Sequence, residues 1–404
     1  MLIVIVSIRQ SQGLPDFIFR VNLITFVSMK YYIIAGEASG DLHGSNLMKA
    51  LKMKDPSAEF RFWGGDLMQK EGGMPVKHYK DLAFMGFSEV LLNLKTILGN
   101  ISFAKKDITA YCPDAVILVD YPGFNLRIAK FVKSLGIRVY YYISPQIWAW
   151  KTGRVHTIKK FVDRMFVILP FEKEFYAKYG YEVDFVGHPL LDAMKDLPEI
   201  DAQEFKSEHG LDERKVIGIL PGSRKQEIKK KLPIMLSVEK DFPKYQFVIA
   251  GAPSVEAGFY NTVAGKPIRM VSNKTYDLLR ISEAALVTSG TATLETALLN
   301  IPEVVCYKGS RISYEIGKRV VKYIQFISLV NLIMDKEVVK ELIQQDLNAK
   351  NLKAELNKIL SEPKRSQVLN DYKELREKLG GEGASGRTAE LIVTELKNRI
   401  SKPN

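Results

Sequence analysis

The chain has 404 residues, 46% hydrophobic and 26% charged, a globular composition at a length that favours two domains over one. No stretch approaches the ~18–20 apolar residues of a bilayer-crossing helix, which excludes a span of that kind. Fifty-eight Lys+Arg against 46 Asp+Glu leave a formal net charge of +12. That excess asks for an anionic partner (nucleic acid, a phosphorylated substrate, an anionic membrane face) or else reflects only a high pI.

The opening MLIVIVSIRQ puts its apolar residues ahead of its first charge, the reverse of a signal peptide. Met29 opens a better strand. Residues 1–28 therefore read as an extension ahead of the native start or, alternatively, as a weak interfacial segment. Tyr31–Ala35 is a strand, and Gly36-Glu37-Ala38-Ser39-Gly40-Asp41 turns it into an amphipathic helix with Leu42, Leu47, Met48 and Leu51. Small residues at such a turn let a ligand approach the backbone, although a plain βα turn looks the same. His43 has no His or Cys at metal spacing and reads as a surface or supporting residue rather than a ligand. Phe60–Gly65 is a second strand and turn. Met85–Lys106 carries Val90, Leu91, Leu94, Ile97 and Leu98 at helical spacing, flanked by Lys95, Lys105 and Lys106. This is either the core face of a helix or an exposed apolar and basic rim that touches a membrane.

Ala115–Val119 is a continuous, largely β-branched run, the mark of a buried parallel strand, and it ends in Asp120-Tyr121-Pro122-Gly123-Phe124-Asn125. Open α/β sheets carry their sites at that end of a strand, which makes Asp120 the candidate general base. The alternative is a turn former before the helix from Asn125. Arg138–Ile143 is a further strand. Trp148 and Trp150 then stand beside Lys151 and Arg154, an arrangement suited to a sugar or acyl ligand and equally to ordinary packing. Met165–Leu169 is a strand, Pro170–Gly180 a short capped helix, and Gly187-His188-Pro189 a hinge. His188 either faces the cleft or is structural.

In the second half, the apolar run Val216–Leu220 stops at Pro221-Gly222-Ser223-Arg224, and a helix-competent segment follows. Freed amides and the positive end of the helix dipole make an anion site at such a turn. Arg224 adds a donor fork suited to a diphosphate, and Glu227, one turn on, is placed to orient it. Strands at 246–250, 270–271 and 284–288 follow, with a helix over 276–281. Ser289, Gly290 and Thr291 then open another helix. The hydroxyls at 289, 291 and 293 either bond phosphate or cap, and Glu295 either grips a ribose or is a capping residue. Together the two turns form a paired phosphate cradle. Pro302–Tyr307 is the last core strand and Arg311–Ile324 a basic amphipathic helix. Asn331 is a buried loop anchor or a ligand contact. From Lys336 the chain reads as helices, with a break at Gly380–Gly386 before the last one, Thr388–Ile400. Cys112 and Cys306 sit in apolar contexts and read as buried free thiols of a reducing compartment.

Nine motifs now stand in order over residues 29–400: GEASGD at 36–41, MGFSEVL at 85–91, DYPGFN at 120–125, SPQIWAWKTGRV at 144–155, LPFEKEFY at 169–176, FVGHPLLD at 185–192, LPGSRKQEI at 220–228, SGTATLE at 289–295 and SLVNLI at 328–333. They resemble the lipid-A-disaccharide synthases, inverting glycosyltransferases of the GT-B type. Two departures stand out. Gly123 replaces an Asp that relatives often carry, which favours Asp120 as the essential carboxylate, and residues 1–28 lie outside the family pattern.

The resemblance implies an α/β fold of two Rossmann-like parallel-sheet domains facing across a cleft. Residues 29–190 would form the acceptor side, 191–360 the UDP-sugar side, and 361–404 helices that pack back on the first domain. The implied reaction moves 2,3-diacylglucosamine from its UDP donor to the 6-hydroxyl of 2,3-diacylglucosamine 1-phosphate with inversion, giving a β-1,6 disaccharide 1-phosphate. Asp120 would be the base. Gly222, Ser223, Arg224, Glu227, Ser289, Gly290, Thr291 and Asn331 would hold the donor, Glu295 its ribose, and Glu37 and Ser39 the acceptor side. Val90, Leu91, Leu94, Ile97 and Leu98 would meet acyl chains or membrane. No metal or cofactor is expected, since two helix N-termini and Arg224 can stabilise the leaving diphosphate. The expected setting is the cytoplasmic face of a Gram-negative inner membrane, with no nucleic-acid partner and a homodimer left open. The alternatives are a UDP-N-acetylglucosamine 2-epimerase and a non-catalytic nucleotide-sugar-binding protein.

Overall fold

The computed structural model describes residues 28–81, 94–195, 197–309 and 325–401. Among these, strands β1 (Lys30–Ala35), β2 (Glu59–Gly64), β3 (Met74–His78), β4 (Ala115–Val119), β5 (Arg138–Tyr142), β6 (Arg164–Val167) and β7 (Asp184–Phe185) form one sheet in the order β3-β2-β1-β4-β5-β6-β7. Strands β8 (Lys215–Leu220), β9 (Tyr245–Gly251), β10 (Arg269–Ser272), β11 (Ser282–Thr288), β12 (Glu303–Tyr307) and β13 (Lys340–Ile343) form a second, ordered β10-β9-β8-β11-β12-β13. Every pairing is parallel. The chain is therefore two Rossmann-like α/β units of the GT-B kind.

Parallel strands covered by helices on both faces bury every side chain, and the sequence supplies apolar residues for both. In β1 and β4, Tyr31, Ile33, Ala115 and Ile117 pack into one layer, and Tyr32, Ile34, Val116 and Leu118 into the other. The second sheet divides likewise, with Ile217 and Ile219 on one face and Val216 and Leu220 on the opposite one. The last helix, Ala384–Ser401, returns to the first unit and lies along the helix Ala38–Lys54. Lys54 pairs with Glu390 at 3.1 Å, Arg387 donates to the Val186 carbonyl at 2.8 Å, and the Ser385 amide donates to Asp192 at 3.0 Å.

The strand orders fix where a ligand can enter. In each sheet the chain reverses its direction of winding once, between β1 and β4 and between β8 and β11. Crevices open at the carboxyl ends of strands at such switch points. Ala35 is in register with Val119, and Leu220 with Val287, so each pair of loops leaves its sheet at the same level.

Three expectations change. Lys340–Ile343, read as part of a helical tail, is the edge strand β13, because its alternating Leu342 finds the core beside β12. Cys112 is exposed rather than buried: it ends the helix Leu94–Tyr111 with φ +49°, and its thiol bonds the Thr109 carbonyl. Cys306 is buried on β12. The helix expected within Met85–Lys106 continues past Lys106 to Tyr111, and its described part is Leu94–Tyr111. Val90, Leu91, the Leu94 side chain and the segment Arg311–Ile324 lie outside the described residues, as do residues 1–27.

Candidate active site

The loop after β4 is the most constrained part of the cleft. Asp120 and Tyr121 both take left-handed backbone, with φ +42° and +49°. For residues with a Cβ this conformation costs about 1–2 kcal/mol each, so neighbours must hold it. The Tyr141 hydroxyl donates to the Asp120 carbonyl at 2.5 Å, and Asn125 Nδ2 donates to the same oxygen at 2.7 Å and to the Val119 carbonyl at 3.2 Å. The Asp120 amide bonds the Tyr142 carbonyl at 3.1 Å. From the β1 side, Gly36 lies so close to the Tyr121 ring that a Cβ there would stand 2.4 Å from it. Gly36 is a glycine because an aromatic ring occupies the space of its side chain.

This clamp presents the Asp120 carboxyl to a cavity of about 550 Å³ between the two sheets. Burial, reinforced by the negative charge of Glu37, raises the Asp120 carboxyl to about 7. Glu37 is itself raised by burial, and the positive charge of Arg224 across the cleft opposes that shift. Ser39 lines the same cavity, as do Glu295 and Thr291 from the second unit. Burial lifts Glu295 to about 6 against a hydrogen bond from Tyr276.

The two glycine turns of the second unit share a further cavity of about 280 Å³, lined by Gly222, Ser223, Glu227, Ser289, Gly290, Thr291 and Glu295. Thr291 and Glu295 border both cavities, so the two are adjoining chambers. Gly222 has φ +113°, and a Cβ on it would meet Glu227 Oε2 at 2.5 Å. Glu227 stands 3.9 Å from Arg224 Nη1 and 3.8 Å from the buried Lys231. Arg224 stands at the N-cap position of the helix Lys225–Leu236, and its side chain is largely exposed. The Ser289 hydroxyl donates to the Ile327 carbonyl at 2.9 Å, which leaves its oxygen lone pairs as acceptors only. Thr293 is buried and its hydroxyl donates to the Gly290 carbonyl at 2.9 Å, so it neither caps the helix amides nor faces the chamber. The Thr288 hydroxyl, buried at the wall of this chamber, has no partner among the described residues.

Asn331 does not reach either chamber. Its Oδ1 accepts from the amides of Val338 and Val339 at 2.8 and 3.0 Å, and its Nδ2 donates to the Val339 carbonyl and to Glu341. An amide with its bonding capacity used this way is a loop anchor, which corrects the expectation of a donor contact. Ile97 packs against the core of the first unit, and Leu98 is 53% exposed on the same helix.

Sequence reasoning left three cavity residues and one neighbour of Glu295 without a firm role. His43 and His188, whose burial pushes them down to about 4 and about 3, are neutral imidazoles in the cavity wall. His43 is thus buried rather than on the surface, and its Nδ1 has no partner. Glu172, raised to about 7 by burial, accepts from the Ile168 and Leu169 amides. Tyr276 faces Glu295. The only signal for His188 and Glu172 was their position inside the family-like motifs, and His43 lies two residues past one. Among the described residues no group of three His, Cys, Asp or Glu stands close enough to hold a metal ion.

Chemically, the arrangement pairs a carboxylate of near-neutral pKa with two sets of helix N-terminal amides across a cleft. The first can take a proton from an alcohol, and the second can bind an anionic leaving group.

Comparison with known proteins bears on the family and the fold. A family profile described as lipid-A-disaccharide synthetase matches residues 31–394. The lipid-A-disaccharide synthase of Geobacter metallireducens is 39% identical over 92% of this chain and 98% of its own length. That of Syntrophus aciditrophicus is 41% identical over 90% of this chain and 97% of its own. Among solved structures, the Neisseria meningitidis UDP-GlcNAc 2-epimerase bound to UDP-GlcNAc superposes with a TM-score of 0.60 over 92% of this chain and all of its own, at 15% identity. That likeness is one of fold.

Proposed function

The chain belongs to the lipid-A-disaccharide synthase family, and from that premise we propose that it transfers 2,3-diacylglucosamine from UDP-2,3-diacylglucosamine to the 6-hydroxyl of 2,3-diacylglucosamine 1-phosphate. The observation that carries this reading is the common cavity of Asp120 and Glu295, one from each unit, beside the chamber of the two glycine turns.

In this mechanism the amides at Gly222–Arg224 and Ser289–Thr291, with the Arg224 guanidinium, hold the donor diphosphate and stabilise its charge as the anomeric bond breaks. Glu295 accepts from the ribose hydroxyls. Asp120 takes the proton of the acceptor 6-hydroxyl as that oxygen attacks the anomeric carbon from the face opposite the diphosphate. One displacement turns the α-linked donor into a β-1,6 disaccharide, with UDP as the second product. Glu37 and Ser39 lie on the acceptor side, where Glu37 keeps the base weakly acidic.

The chain works at the cytoplasmic face of the inner membrane, docked through the exposed face of the helix Leu94–Tyr111. Incubation with UDP-2,3-diacylglucosamine and the acylated 1-phosphate tests the function. We expect a disaccharide 1-phosphate by mass, with a β-anomeric coupling in its proton spectrum. A 2-epimer of the donor sugar as sole product, or no turnover, would overturn it.

A further inference from the structure

Two cations of the large cavity remain without a role. Asp120 and Glu295 are taken up by the reaction, the Glu172 carboxyl is bonded by the Ile168 and Leu169 amides, and the two imidazoles in the wall are neutral. The remaining basic side chains among the lining residues are Lys151 and Arg154, which flank the turn between the short helix Ile147–Trp150 and the helix Arg154–Phe161. Arg154 is half-buried, and no described carboxylate pairs with it. A cation kept in a cleft with no carboxylate in salt-bridge contact is placed for an anion from outside the chain.

We propose that Lys151 and Arg154 form the subsite for the phosphomonoester of the acceptor, and that this phosphate sets which end of the acceptor sugar meets Asp120. The inference rests on the transferase reading above.

Three features support it. On a pyranose, C1 and C6 substituents lie at opposite ends of the ring. An acceptor with its 6-hydroxyl at Asp120 therefore carries its 1-phosphate a sugar's width away, still within the same cavity. The phosphate also cannot share the Asp120–Glu37 end, where the charge of Glu37 already raises the Asp120 carboxyl and a further negative charge would be repelled. Finally, Ile143, Ile147 and Leu169 line the same cavity. An apolar wall beside two cations matches an acylated sugar phosphate. The unpartnered Nδ1 of His43 is left for a sugar hydroxyl between the two ends.

The donor diphosphate is assigned elsewhere, to the glycine turns, so the two anions of the reaction have separate sites. That separation makes the inference testable. The ratio of kcat/KM for the phosphorylated acceptor to kcat/KM for the same acceptor lacking its phosphate is measured on one enzyme preparation, so loss of folded protein cancels. Wild type, Lys151→Gln and Arg154→Gln are compared in neutral detergent micelles, with and without added anionic phospholipid.

We expect the wild-type ratio to favour the phosphorylated acceptor and to fall about tenfold or more in each variant, the size of a lost charge-assisted contact. The loss appears in the acceptor KM, and Arg154→Lys retains part of the preference. A ratio unchanged by either substitution overturns the assignment. So does a loss confined to the donor KM, which would move these cations to the diphosphate, or an effect that appears only with anionic phospholipid, which would move them to the membrane surface. Wild-type enzyme that makes no disaccharide from either acceptor defeats the transferase reading itself, and this inference with it.

Discussion

At the scale of single residues, the cleft is governed by how burial and like charge set one carboxyl. Asp120 is raised to about 7, first by burial and then by Glu37. A base must be ionised to work, so activity is full above that value and falls as pH drops through it. Replacing Glu37 by Gln removes a like charge, which lowers the Asp120 pKa and moves the acid limb of the kcat/KM profile to lower pH. A limb that stays in place would show that Glu37 does not face the base. Asp120→Asn keeps the shape and loses the proton acceptor. We expect turnover to fall by about 10²–10⁴-fold, the range for a lost general base, with donor affinity retained in calorimetry. The carbonyl clamp gives a subtler effect. Tyr141→Phe leaves the Asp120 carbonyl with Asn125 as its side-chain donor. The variant should lose about 1 kcal/mol of stability, typical of one buried hydrogen bond, and show a lower kcat at nearly unchanged KM.

At the scale of elements, the glycine turns do work that no side chain could. At Gly222, φ is +113° and the Cβ position is filled by Glu227. Gly222→Ala therefore strains the backbone and displaces the carboxylate beside Arg224. We expect about 1–3 kcal/mol of destabilisation and a raised donor KM in initial-rate kinetics. These turns were legible in the sequence because glycine after a β-branched run and before a helix-competent segment has a specific physical meaning. The same holds for Asp120 at the end of Ala115–Val119. What the sequence did not disclose was set by tertiary packing. β13 carries Lys340 and Glu341 among its four residues, a composition that reads as a helical surface until β12 is there to pair with it. β3 contains Pro75, tolerated because β3 is an edge strand. Asn331 looked like a ligand contact because a polar residue in an apolar run signals either chemistry or an anchor. Only the positions of Val338, Val339 and Glu341 decide between them. His43 and Glu172 depend on folding in the same way: both come to line one cavity only when the helix after β1 and the helix Pro170–Ala177 stand at the same cleft.

At the scale of the whole molecule, charge and apolar exposure together bear on where the protein works. The net charge is +12, and no helix among the described residues is long and apolar enough to cross a membrane. The helix Leu94–Tyr111 buries Ile101, Ala104 and Ile108 against the first sheet and turns Leu98 and Phe103 outward, 53% and 48% exposed. Lys95 lies on the same exposed turn and Lys105 reaches over Phe131. Side chains of this kind contribute to interfacial binding through buried apolar area, and basic residues add attraction to anionic lipid that salt screens over about 10 Å at 0.1 M. The two contributions separate in a flotation assay. Vesicles containing anionic phospholipid should carry the protein upward at low salt and release part of it as salt rises. The double variant Leu98→Glu, Phe103→Glu should bind less at every salt concentration, because it loses an apolar contact that salt does not screen. Equal flotation of variant and wild type at high salt would place the membrane contact on another face. Leu98 lies on the solvent side of the helix, whereas the Phe103 ring also meets the buried Trp63, so Leu98→Glu alone should unfold as the wild type does and its loss of flotation reports on the surface alone.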